Sequence, residues 1–237
     1  MQLRNKTILI TGGARGLGRA FAEAAVAAGA EVVIADVMDA TEVAKQIGAR
    51  FVGVDLASPA SIEVAAAALG KLDGLVNNAA ITNSGGRSMH ELDIETWDKV
   101  MAVNVRGTWL MTRACLPALR KAKGKVVNVA SDTALWGAPK LLAYISSKGA
   151  VIAMTRGMAR ELGPDGITVN AIAPGLTEVE ATGYVPAERH EYYAQGRALK
   201  RPQQARDACG AVMFFLSDEA AFMTGQVLPV NGGFVMN

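Results

Sequence analysis

Two side chains in the stretch AYISSKGAVIAMTRGMAREL, Ala143 to Leu162, carry chemistry that an otherwise apolar helix does not need. The pattern predicts a helix, because Ala150, Val151, Met154, Met158 and Leu162 recur at helical spacing while Arg156, Arg160 and Glu161 take the other side. Tyr144 and Lys148 stand four residues apart at its start, one above the other on a single face. A phenol titrates at about 10 and is a poor base at neutral pH. A neighbouring ammonium favours the phenolate and lowers that value. The pair is therefore a candidate proton donor and acceptor.

A second constellation opens the chain. ILITGGARGLGRAFAEAAVAAGA, Ile8 to Ala30, sets a glycine-rich turn between a strand pattern and a helix pattern. Thr11, Gly12, Gly16 and Gly18 follow T-G-x-x-x-G-x-G, not the common G-x-G-x-x-G spacing. The physics is related: glycines permit a tight turn, backbone N–H groups approach a pyrophosphate, and the helix N-terminus offers its positive end. Arg15 and Leu17 lie inside this turn. Asp36 ends the next strand pattern, VVIADV, 18 residues beyond Gly18. An acid there accepts hydrogen bonds from adenosine ribose hydroxyls and repels a 2′-phosphate, which favours NAD over NADP. Arg15 pulls the other way, since a guanidinium pairs with phosphate; the repulsion from Asp36 is weighed more heavily. Asp55, followed by Leu56 at the end of the third strand pattern, is placed to bind the adenine amino group, with a loop or helix-cap role equally open.

The elements that must position these groups are legible as short apolar runs alternating with helical patterns. Strands are predicted at 7–11, 31–35, 50–54, 74–78, 125–130, 167–173 and 226–230, and helices near 17–28, 39–47, 60–69, 97–122, 144–162 and 203–216. Continuous apolar strands imply parallel neighbours covered on both faces. The alternation implies right-handed βαβ units, hence an α/β, Rossmann-type doubly wound domain with a seven-stranded, mostly parallel sheet. No linker or repeat divides 1–237, so a single domain is expected. Its irregular part, 175–202, is expected to be a substrate lid.

With 237 residues, 51% of them hydrophobic, the chain buries a large core without a disulfide or metal. Cys115 and Cys209 sit in apolar segments and read as buried small hydrophobes in a reducing compartment. His90 and His190 are isolated, and no Cys/His cluster has metal-ligand spacing, so no metal is expected. A net charge of +2 with scattered lysines and arginines argues against a nucleic-acid surface. Neither a signal-peptide pattern nor a spanning apolar run appears, so a soluble cytoplasmic protein without membrane partners is expected.

TGGARGLG (11–18), NNAA (77–80), NVRG (104–107), NVAS (128–131), YISSK (144–148), PGLT (174–177) and TGQVLPVNGG (224–233) together resemble the short-chain dehydrogenase/reductase family over nearly the whole chain. The resemblance implies oxidation of an alcohol to a ketone, or the reverse, with Tyr144 as acid/base. Lys148 would assist it and hydrogen-bond the nicotinamide ribose. It further implies Ser131 as hydrogen-bond partner of the substrate oxygen, and Asn104 as holder of a water leading to the lysine. Asn77, Ala79 and Ala80 would line the adenosine and ribose side; the family more often has glycine where Ala80 stands. Pro174, Gly175, Leu176 and Thr177 would flank the nicotinamide. Asn78 is read as structural.

The segment between Ser131 and Tyr144, with the 175–202 insertion, should shape the substrate pocket. Leu135, Trp136, Leu176, Val179 and Tyr184 predict a mainly apolar cavity, hence a hydrophobic or aromatic secondary alcohol as small-molecule substrate. Asp132 and Glu178 offer the alternative of a polyol. Helices 97–122 and 144–162 resemble those that pair across family dimers, and the former is apolar over most of its circumference, so a homotetramer is expected, a homodimer next. Two other functions stand beside the dehydrogenase: a 3-oxoacyl carrier-protein reductase, disfavoured by Asp36, and a non-catalytic dinucleotide-binding sensor or scaffold, disfavoured by the intact Asn104, Ser131, Tyr144 and Lys148.

Overall fold

The computed structural model describes residues 2–236. The apolar runs become strands β1 (Thr7–Thr11), β2 (Glu31–Asp36), β3 (Arg50–Gly53), β4 (Gly74–Asn77), β5 (Lys125–Val129) and β6 (Thr168–Pro174), then two short strands, β7 (Thr177–Glu178) and β8 (Gln203–Gln204), and finally β9 (Val227–Val230). Seven of these form one sheet in the order β3-β2-β1-β4-β5-β6-β9, and β7 pairs with β8 separately. Every pairing is parallel, so the expected mostly parallel sheet is wholly so.

Nine α-helices are found among the described residues: α1 (Gly16–Ala27), α2 (Thr41–Ile47), α3 (Pro59–Ala67), α4 (Ile94–Val100), α5 (Thr108–Ala122), α6 (Thr133–Trp136), α7 (Leu142–Leu162), α8 (Ala187–Gly196) and α9 (Ala205–Leu216). Successive strand side chains point to opposite faces, so Ile8 and Ile10 of β1 meet Phe21 of α1 and Leu216 of α9, while Leu9 between them packs with Ile62 of α3 and Met111 of α5. That two-sided burial is why the strands read as unbroken apolar runs. The chain winds outward from β1 to β3, then returns to β4 on the other side of β1. The reversal opens a crevice at the carboxyl ends of β1 and β4, where open α/β sheets bind ligands.

Three features differ from the sequence reading. The helix expected over 97–122 starts earlier, at Ile94 behind the cap residue Asp93, and is interrupted by a π-helical stretch, Met101–Gly107. α6 is four residues long, too short to show a period. The 175–202 insertion contains a regular helix, α8, preceded by β7 and a 3-10 turn at Glu180–Thr182. No described helix is long and apolar enough to cross a membrane, and no group of three or more potential metal ligands occurs among the described residues.

Candidate active site

One cavity of about 800 Å³ runs along the carboxyl ends of the central strands. At one end it is lined by Gly12, Arg15, Gly16, Leu17 and Gly18, with Asp36, Asp55 and Leu56 beside them. Ala79 and Ala80 follow; Ser131, Tyr144, Lys148 and the run from Pro174 to Thr177 line the other end. Val179 and Tyr184 of the insertion complete it.

The glycine turn is built for close approach. Gly12 has φ +68°, and a Cβ on Gly18 would lie 2.0 Å from the Gly12 carbonyl oxygen. Asn78 supports the turn structurally, its amide donating to the Thr11 and Gly12 carbonyls at 2.9 and 3.0 Å. Helices α3 and α4 are capped by the side chains of Ser58 and Asp93, but α1 has no side-chain cap. Its first N–H groups thus lie at the cavity with no side-chain acceptor, which suits a phosphate. The Asp36 carboxylate is fixed by the N–H groups of Ala14 and Met38, both at 3.0 Å. Asp55 accepts from the Ala57 N–H at 2.8 Å, so the loop role holds alongside its place on the cavity wall.

At the other end, the helix that the opening pattern predicted brings Tyr144 and Lys148 to one wall. The ammonium stands 5.7 Å from the centre of the tyrosine ring and donates to the Val129 carbonyl at 2.7 Å. Burial pulls Lys148 down to about 8. Tyr144 departs from the sequence expectation. Burial pushes its pKa up, opposed by the Ser131 hydroxyl, with Tyr184 and Asp132 raising it further. Among protein groups alone, desolvation outweighs the lysine, whose charge is directed to Val129. Ser131 follows β5, two residues beyond its end, and accepts from the Thr133 N–H at 3.3 Å and the Thr133 hydroxyl at 2.8 Å. With donors already directed at its oxygen, the serine keeps its own proton to offer. Thr133 has no signal in the sequence beyond its nearness to Ser131.

Several expected residues lie elsewhere. Trp136 does not line the cavity; its indole donates to the Tyr193 hydroxyl at 3.2 Å, and it packs with Tyr192, Tyr193 and Phe234. Leu135 is also off the wall, because the α6 turn directs both residues away. Asn77 is buried behind the site, donating to Thr112 and Asn128. Asn104, on the π-helical stretch, is buried and off the wall as well. Its Oδ1 accepts from the Ile81 N–H, and its Nδ2 donates to the Ile81 carbonyl and the Ser147 hydroxyl, which in turn donates to the Tyr144 carbonyl. Asn104 is thus tied to the tyrosine through Ser147, which lies between Tyr144 and Lys148 in the chain. Thr177 spends its hydroxyl on the Gly175 carbonyl. Neither Asp132 nor Glu178 reaches the cavity, so the observation behind the polyol alternative is absent. Missed by sequence reasoning were Tyr193 and Arg189 of α8, which do line it; nothing in an irregular insertion signals which residues turn inward.

The sheet order, the glycine turn and the serine–tyrosine–lysine wall define a dinucleotide-binding oxidoreductase site. A family model described as enoyl-(acyl carrier protein) reductase matches residues 12–235. The chain is 38% identical to 2-(S)-hydroxypropyl-CoM dehydrogenase 3 of Xanthobacter autotrophicus, over 98% of this chain and 97% of that one. It is 41% identical to the inactive 2-(S)-hydroxypropyl-CoM dehydrogenase 2 of the same organism, over 90% and 98%. Among solved structures, 3-ketoacyl-(acyl-carrier-protein) reductase from Brucella melitensis complexed with NADH superposes with TM-score 0.92 at 32% identity, over 99% of this chain and all of that one. The chain belongs to the short-chain dehydrogenase/reductase family. It is an oxidoreductase, and its cofactor class is a nicotinamide dinucleotide.

Proposed function

We propose that the protein is an NAD(H)-dependent oxidoreductase that interconverts a secondary alcohol, hydrophobic or aromatic, and its ketone. The observation that carries this reading is the single cavity joining an uncapped helix N-terminus beside Asp36 to the wall of Ser131, Tyr144 and Lys148. The dinucleotide would be held by the α1 N-terminus at its pyrophosphate, by Asp36 at the adenosine ribose and by Lys148 and the run from Pro174 to Thr177 at the nicotinamide end. When bound, the oxidised nicotinamide supplies a hydride acceptor and a positive charge near the phenol.

The chain's own groups then divide the work. Ser131 donates to the substrate oxygen, where negative charge develops. The Tyr144 hydroxyl takes the alcohol's proton in oxidation and returns it in reduction. Asn104, through Ser147, holds the turn that carries Tyr144. Ile81, Leu141, Leu176, Val179 and Val185 give the substrate end an apolar lining, while the acids of the wall, Asp36 and Asp55, lie at the far end. That supports a substrate with a large apolar part over a polyol, with Lys140 and Arg189 the charged groups nearest this lining. The insertion closes the side as a lid: Tyr184 donates to the Thr82 carbonyl at 2.5 Å, and Val179 lies opposite Gly16. Exposed Trp109 on α5 and Phe222 near the C-terminus support a homotetramer.

A panel of aryl and alkyl ketones, followed by loss of NADH and NADPH absorbance, tests the reading. Turnover with NADH and not NADPH is expected. The inactive Xanthobacter relative gives weight to a second reading, a dinucleotide-binding protein without turnover, which tight NADH binding with no ketone consumed would favour.

A further inference from the structure

Directly behind Ser131 lies a charge that the reaction described above does not use. Asp132 is wholly buried. Its Oδ1 accepts the Tyr193 hydroxyl at 3.0 Å, while Oδ2 has no hydrogen-bond partner. A carboxylate so placed costs stability, and such a cost is kept where it serves a site. The surroundings show what it serves. Tyr193 lines the cavity, and its ring carries the Arg197 guanidinium 5.3 Å above it. Arg197, itself buried with Nε unpartnered, donates to the Leu176 carbonyl at 2.5 Å. A Cβ on Gly175 would come within 3.0 Å of Asp132 Oδ2. The carboxylate therefore sits between the catalytic strand β5, the run from Pro174 to Thr177, and helix α8.

We propose that Asp132 is a positioning residue for the reaction: its buried carboxyl group holds Tyr193 as a wall of the substrate end and, when ionised, presents a negative charge to the Tyr144 phenol. The inference rests on Tyr144 being the proton-transfer group. Charged and titratable groups face this region from each element: Lys148 and Tyr144 on α7, Arg189 and Tyr193 on α8, Arg197 just beyond it, and Tyr184 on the insertion. Of these, Tyr184 and Asp132 act to keep the phenol protonated, Ser131 acts against them, and burial is the largest influence. Asp132 itself titrates at about 7, raised by burial and lowered in part by Tyr193, Asn231 and Arg197. Above that pH its charge keeps Tyr144 protonated, as a weaker acid, up to higher pH, where ketone reduction still finds its proton, while delaying the phenolate that alcohol oxidation needs.

Two variants separate the two halves of the role. Asp132→Asn keeps shape and removes charge. The rising limb of kcat/KM for alcohol oxidation should move to lower pH by about 0.5–1 unit, the effect of losing one nearby like charge. Tyr193→Phe keeps the carboxyl group and removes its bond to the wall, and with it one of the groups that favour its ionised form. KM for the ketone should rise about three- to ten-fold, the fold-change for one lost hydrogen bond. An ultraviolet titration of tyrosinate, with Tyr144 assigned by Tyr144→Phe, reads the first shift without any turnover, so a protein that reduces no ketone refutes the functional reading alone. If Asp132→Asn leaves the Tyr144 titration in place, the electrostatic half is overturned. If Asp132→Asn does not fold, Tyr193→Phe decides: an unchanged KM overturns the positioning half and with it the proposal.

Discussion

At the scale of single residues, the least expected result concerns Tyr144. Sequence logic makes Lys148 the group that eases its ionisation, but burial prevails and the phenol is held above its ordinary range. A weaker acid still serves, provided its proton is delivered to a nascent alkoxide inside a dry site. Tyr144→Phe removes that proton, and kcat for ketone reduction should fall by about 10²–10⁴. Affinity for NADH, read by fluorescence titration, should stay within a few-fold; a variant retaining most of its rate would remove Tyr144 from the mechanism. Asp36 can be tested as cleanly. Its carboxylate is held by two backbone N–H groups and cannot swing aside from a 2′-phosphate. Asp36→Ala should narrow the NADH-over-NADPH ratio of kcat/KM by about ten-fold or more, because the like-charge repulsion is lost. An unchanged ratio would assign the preference to another residue.

Between residue and fold stand the elements, and here the sequence was legible where periodicity was strong. Seven strands and the long helices α1, α5, α7 and α9 announce themselves because each is covered by the sheet or covers it. The π-helical stretch Met101–Gly107 does not, since a wider turn leaves the apolar content of the segment unchanged and alters only where Asn104 points. The α6 turn escapes for the opposite reason, being shorter than any period. That turn carries Trp136 off the cavity wall, so an error in a four-residue element became an error in the substrate site. Ser147 shows how elements are tied at a functional place. It links Asn104 of the π-helical stretch to the Tyr144 carbonyl on α7, the first of the two hydrogen bonds buried and the second partly so. Ser147→Ala should lower stability by about 1–2 kcal/mol, leaving the Tyr144 carbonyl without this donor. The melting temperature should accordingly fall by about 2–6 °C. An unaltered melting curve would mean that the π-helical stretch needs no such tie.

For the molecule as a whole, the site makes the fold pay at one particular pH. Asp132 has a folded pKa of about 7 against an ordinary value of 3.8, so the native state binds more protons than the unfolded chain between those values. Stability contributed by this group is fully present below about 4 and is lost as pH rises through 7. Lys148 has the opposite sign: its folded pKa, about 8, lies below the ordinary 10.5, so stability returns as pH rises above 8. Between 7 and 8 the carboxylate is ionised and the ammonium protonated, and both buried charges burden the native state together. Above about 9 the buried thiol of Cys115 and the half-buried thiol of Cys209, pushed up to about 12 and about 11, begin to act against any further gain. Melting temperature plotted against pH should therefore decline from pH 5 to 7, pass a shallow minimum, and recover between 8 and 9. Each slope should be on the order of 1 kcal/mol per pH unit. Asp132→Asn should flatten the acidic side alone, and Lys148→Met the alkaline side alone. A wild-type curve that rises steadily from pH 5 to 8 would show that these two groups are not charged while buried in the folded protein, and the electrostatic account of the site would have to be abandoned.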